Sequence, residues 1–485
     1  MHDRLPDERH GVFRKPEARV STKLVKNITY LATFDDAARE IEDGALFIRD
    51  NVIEKVGTTA ELADETADEV IDLSGHIVMP GMVNIHHHMY QNLTRVMVQD
   101  DELLVWLKTL YPIWSNLDDD AIGTSARVAM AELIASGCTT SSDHLYILPN
   151  NCTLDATIDA AKDMGLRFHA ARGAMSRGQS QGGLPPDNCV EKEEDILKDA
   201  ERLISTYHDN SRHSMSRIIL APCSPFSVTP GLMKDAAALA RSHKGVHLHS
   251  HLAEDLFEEV YCNDVYKMRS VGFAESVGWL GPDVWFAHSI FMTSEEIDLF
   301  ASTGAGVAHC PSANMRCGQG IAKIREMLDK GVNVGLGVDG SASNDTSNMF
   351  MEARLAMMLQ RVAPNKYLSE TPGGRGGFGG TPSALSAREA LTMATRGGAK
   401  ILGRDDVGYL APGMSADFIA IKLRQLGLSG TQRDPLAALV MCGPFKVDHS
   451  FINGRSIIEN GEFVSADIDS LLEKHEAVME RIYQQ

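Results

Sequence analysis

Apolar positions follow two rhythms along this chain. Near the beginning, within residues 23–80, the runs ALFIRD, VIEKVG and EVIDL are short, alternate or run apolar, and are cut by Gly and Asp. That pattern predicts strands joined by turns. Residues 408–463 repeat it, with GYLAPGMSADFIAIKL followed by HSFINGRSIIENGEF, where Asn453-Gly454 marks a tight turn. Between them, over 81–407, short apolar runs alternate with helical patterns. The strand-like runs are MVNIHHH, TTSSDHLY, RFHAARG, IILAPCS, GVHLHSHL, VWFAHSI, GVAHCP and NVGLGVD. Segments such as AIGTSARVAMAELIASG and IAKIREMLDKG between them carry a 3.6-residue period. Eight such alternations predict an α/β fold, a (β/α)8 TIM-type barrel. The two β-rich flanks predict one small β-sandwich domain built from both terminal segments. Residues 1–22 read as a flexible N-terminal extension and 464–485 as a C-terminal helix.

In such barrels chemistry gathers where the strands end. Here the strand-like runs end in His86 and His88, His144, Arg172, Cys223, His251, His288, His309 and Asp339. Residues two apart on a strand share a face, so His86 and His88 of PGMVNIHHH can aim at one ion while His87 points away. In HLHSHLAE, His251 is singled out by Glu254 three residues on, a carboxylate placed to sit beside metal-bound water; His247 and His249 read as hydrogen-bonded inside the barrel. His288 ends another strand in FAHS. Asp339 ends an apolar strand between glycines, where a carboxylate is costly unless a metal or histidine meets it.

Composition narrows the partners. A formal charge of -20 argues against nucleic acid and favours a small-molecule substrate. No stretch approaches a membrane span, and residues 1–20 lack the apolar centre of a secretory signal. The eight cysteines form no C-x-x-C pair and read as reduced thiols of a cytoplasmic protein. GGRGGFGG at 373–380 lacks the strand–loop–helix context of a phosphate-binding loop and reads as a flexible surface insertion.

From 23 to 475 the chain resembles the amidohydrolase superfamily, through PGMVNIHHH, HSHLAE, AHS and GVDGSASND in that order. The resemblance implies that His86, His88, His251 and Asp339 bind one divalent ion, zinc first and iron as the alternative. It also implies that Glu254, His288 and Asp339 handle protons. Superfamily members with two metals hold them through a modified lysine at the end of the fourth strand. Here that strand reads IILAPCSPFS, without lysine, which favours the one-metal deaminase branch. Within that branch HHHMYQNLTR, SRGQSQGGLPPD, LAPCSPFSVT and HCPSANMR are similar to bacterial 8-oxoguanine deaminases. Isoxanthopterin deaminase and triazine hydrolases look more distant. The expected reaction is hydrolytic removal of an amine from a flat heterocycle, and a homo-oligomer is expected.

For binding such a ring, Gln91 can donate and accept hydrogen bonds. Trp106, Tyr111 and Trp114 can stack on it, with core packing as the competing reading. Arg172 can hold an oxygen, against a structural ion pair. Tyr146 and Cys223 complete the candidate set.

Overall fold

The computed structural model describes residues 21–363 and 381–484. The sequence expectations for residues 1–20 and for the glycine-rich 373–380 therefore lie outside the described residues.

The chain opens with β1 (Thr22–Ala32), β2 (Glu40–Arg49), β3 (Val52–Thr58), β4 (Glu69–Asp72) and β5 (His76–Pro80). Eight strands then close the barrel: β6 (Met82–Asn84), β7 (Cys138–Leu145), β8 (Arg167–Ala174), β9 (Ser216–Pro222), β10 (His247–Leu252), β11 (Val284–His288), β12 (Gly306–His309) and β13 (Asn333–Leu336). Each pairs in parallel with its neighbour in sequence, and Leu336 of β13 meets Asn84 of β6 to complete the ring. The (β/α)8 barrel read from the alternation is present.

After the barrel come β14 (Phe418–Lys422), β15 (His449–Ile452), β16 (Arg455–Glu459) and β17 (Glu462–Phe463). They join β1–β5 in one nine-stranded sheet, in the order β17-β16-β15-β14-β5-β1-β2-β3 with β4 beside β1. The terminal segments thus make an additional domain, as a continuous sheet around a core that includes Val25, Leu46, Ile53, Phe418 and Phe451. Between β15 and β16, Asn453 and Gly454 both take positive φ, 52° and 74°, as a type I′ hairpin requires.

Helix boundaries follow local chemistry. Asp118 caps helix Asp119–Ala135, and Thr293 with Glu296 forms a capping box on helix Ser294–Thr303. The barrel strands β7 and β8 are buried along their whole length, although β7 (CTTSSDHL) is largely polar. A small core of Val83, Ala171, Ile219, Trp285 and Ala308 fills the barrel, while Phe168, Ala170 and Phe286 belong to the larger core under the helices. Arg167, at the start of β8, donates to both carboxylate oxygens of Asp417 at 3.0 and 3.0 Å, pinning the sheet domain to the barrel. Among the described residues, no helix is long and apolar enough to cross a membrane.

Candidate active site

Six of the sequence-predicted groups meet at one end of the barrel. His86 Nε2 lies 3.1 Å from Asp339 Oδ1, and His88 Nε2 lies 3.4 Å from the same oxygen. His88 Nε2 is 3.2 Å from His251 Nε2. Donor atoms bound at about 2.0–2.1 Å to one four-coordinate ion stand roughly 3.3 Å apart, so these spacings suit a shared ion. His288 Nε2 is 3.5 Å from Glu254 Oε1 on the cavity side of the same cluster. Backbone conformation delivers several of these groups: Ala253, His288 and Asp339 have φ of 51°, 70° and 62°. Non-glycine residues held there carry strain, which gathers at functional sites.

The hydrogen bonds fix the histidine tautomers. His88 Nδ1 is 2.7 Å from the His144 carbonyl, and His251 Nδ1 is 2.7 Å from that of Cys223. Carbonyls only accept, so each ring is protonated on Nδ1 and keeps a lone pair on Nε2. His86 reaches the same state through a relay. His249 Nδ1 donates to the Trp285 carbonyl at 3.1 Å, so its Nε2 accepts from His86 Nδ1 at 2.7 Å. His86 Nε2 and Asp339 Oδ1 are buried and find no hydrogen-bond partner. The other Asp339 oxygen accepts from Ser343 Oγ at 2.8 Å. Three imidazole lone pairs and one orphaned carboxylate oxygen therefore converge, a donor set that fits zinc or ferrous iron.

Charge states agree with that fit. Burial pulls His86 far down and His88 down to about 3, so both rings are neutral. Burial pushes Asp339 up, but the imidazoles of His86, His288 and His88 that face it outweigh this and hold the carboxyl well below its ordinary range. Burial also pulls on His288, yet Glu254, Asp339 and the Asn314 side chain together leave it raised.

The cavity above the cluster is lined by five of the expected ring-binding residues: Gln91, Trp106, Tyr111, Tyr146 and Cys223. Two expectations fail. Arg172 does not line it; its guanidinium donates to Asp199 at 2.7 Å and to Glu191 at 2.7 and 3.1 Å. Along β8, Ala171 faces the barrel core, so Arg172 shares the helix-facing side with Phe168 and Ala170. Trp114 packs behind the cavity against Trp106 and Tyr111, with its Nε1 donating to Thr94 Oγ1 at 3.1 Å. Phe226, Gln319 and Ser343 line the cavity without having been expected. Ser343 sits in GVDGSASND, four residues past Asp339, and was accessible from that motif. Gln319 lies in a loop with no periodicity, and no sequence signal marks it.

The sequence model of the amidohydrolase family matches residues 77–457. This chain belongs to the amidohydrolase family. Its amidohydrolase relatives include the 8-oxoguanine deaminase of Pseudomonas aeruginosa, 43% identical over 90% of this chain and 94% of that one. The hydroxydechloroatrazine ethylaminohydrolase of Pseudomonas sp. strain ADP is 36% identical over 96% of each chain. Among solved amidohydrolase structures, the atrazine chlorohydrolase of Arthrobacter aurescens complexed with zinc superposes with a TM-score of 0.87 at 35% identity, covering 94% of this chain and 100% of that one.

Proposed function

We propose that this amidohydrolase is a hydrolytic deaminase that converts 8-oxoguanine and water to urate and ammonia. In this reading His86, His88, His251 and Asp339 hold one zinc ion. When bound, such an ion supplies Lewis acidity that brings a water's pKa from 15.7 toward about 7. Glu254 takes the proton of the attacking water and passes it to a ring nitrogen, so the amine-bearing carbon becomes tetrahedral. Asp339 accepts the second proton and returns it to the departing amine. His288, whose Nε2 stands 3.5 Å from Glu254 Oε1, stabilises the negative charge that develops there. Trp106, Tyr111 and Tyr146 offer flat faces for the ring, and Gln91 offers both a donor and an acceptor.

The observation that carries the reading is the pairing of Glu254 with His288 at 3.5 Å beside a convergent His3Asp set. The 43% identical deaminase supports the choice of 8-oxoguanine. A second reading is triazine hydrolysis, favoured by the relatives named for triazines. Release of ammonia, set against release of ethylamine or chloride, from metal-loaded protein separates them, using 8-oxoguanine, guanine, isoxanthopterin, cytosine and an aminotriazine. The highest kcat/KM on 8-oxoguanine, with urate as product, is expected. A triazine or pterin as best substrate overturns the substrate assignment.

A further inference from the structure

We propose that Gln319 is a positioning residue that selects which oxygen of Glu254 handles the proton. This rests on the reading of Glu254 as the general base. A glutamate carboxylate turns easily about its last torsion, which has a broad, two-fold profile. Its two oxygens are therefore interchangeable unless something tells them apart. Here Gln319 Nε2 donates to Glu254 Oε1 at 2.8 Å, and His288 Nε2 stands 3.5 Å from that same oxygen. Among the described residues, no hydrogen bond reaches Oε2 of Glu254. One oxygen is clamped, and the other is left for water and substrate.

The orientation of the Gln319 amide is forced. A carboxylate only accepts, so the NH2 side must face it. Gln319 Oε1 is then left buried without a donor, a cost that a residue serving packing alone has no reason to carry. The clamp is itself well held. The Gln319 backbone N–H donates to the Asn314 carbonyl at 2.9 Å, while Asn314 Oδ1 accepts from His288 Nδ1 at 2.9 Å. Residues 314–319 thus set both partners of the proton-handling pair. From the other side, Glu258 accepts from the backbone N–H of Ala253 at 2.8 Å and of Glu254 at 3.4 Å. Glu258 fixes the backbone and Gln319 fixes the side chain.

The test uses metal-loaded Gln319→Leu and Gln319→Met, with Glu254→Gln as reference, assayed on 8-oxoguanine or the panel member turned over fastest. Leu keeps the bulk of the glutamine without its amide; Met keeps its length and decides the matter where the Leu variant does not fold. Misplacing a catalytic group by about 1 Å costs on the order of 100-fold. A fall in kcat of about 10–100-fold is expected, with KM within about threefold and metal content unchanged. A kcat within about twofold of wild type overturns the inference, as does a loss confined to KM or to metal content. With Glu254→Gln inactive, either result leaves the proposed function standing. An active Glu254→Gln variant overturns both.

Discussion

At the scale of single residues, the centre separates groups that bind from groups that move protons. Glu254→Gln keeps the size of the side chain but cannot take a proton. Its kcat is expected to fall by at least about 100–10,000-fold, the range of general-base catalysis, with metal content intact by elemental analysis. Turnover at the wild-type rate would show that another group is the base. A second prediction concerns Glu352. It accepts from Ser312 and, at 3.0 Å, from Asn344, and burial pushes its carboxyl up from 4.5 to about 7. Between those values the folded chain keeps a proton that the unfolded chain has released. Its contribution to stability therefore falls as pH rises from 4.5 to about 7 and is level above that. Glu352→Gln has no proton to lose. Its Tm is expected to gain on wild type by a few degrees between pH 5 and pH 7.5 in scanning fluorimetry; parallel Tm curves would refute the assignment.

At the scale of elements, the C-terminal helix Ile468–Tyr483 straps the segment that carries Gln91. Tyr483 Oη donates to the Leu93 carbonyl at 3.1 Å, and Asn116 Nδ2 donates to the Ile482 carbonyl at 3.1 Å. Arg481 pairs with Asp118, with both side chains 39% exposed. Exposed pairs contribute little, whereas a buried aliphatic contributes through packing and cavity terms. Arg481→Ala is expected to cost below about 1 kcal/mol, and Ile482→Ala, whose parent side chain is buried, about 2–5 kcal/mol. Urea denaturation checks the pair, and equal losses would contradict this account of the helix. Legibility also varies at this scale. The eight barrel strands are visible in the sequence because short strand-like runs alternate there with helical patterns. The inward turn of His288 does not follow from alternation, which its φ of 70° breaks; only its place at a strand end marks it in the sequence. Arg172 shows the opposite case: alternation does hold along β8, and counting from Ala171 assigns the guanidinium to the helix layer.

At the scale of the whole molecule, the barrel and the terminal sheet are joined through buried charge. Arg167 and Asp417 have side-chain exposures of 0% and 1%, so removing one partner leaves the other buried without its counter-charge. Arg167→Ala is expected to cost about 3–5 kcal/mol and to lower Tm with the metal in place. A change within about 1 kcal/mol would mean that water relieves Asp417. The sequence by itself determined the barrel, the participation of both ends in one further domain, and the types of residue at the metal-competent centre. Those features are local: period, strand-end position and ligand chemistry are all written within a few residues. Only the tertiary structure decided that the terminal strands form one continuous sheet, that Trp114 stands behind the cavity, and that Gln319 reaches Glu254. These depend on contacts between segments far apart in the chain, 65 residues for Gln319 and Glu254 and 338 for the paired Phe418 and Pro80 of the terminal sheet, where spacing along the chain carries no information about distance in space.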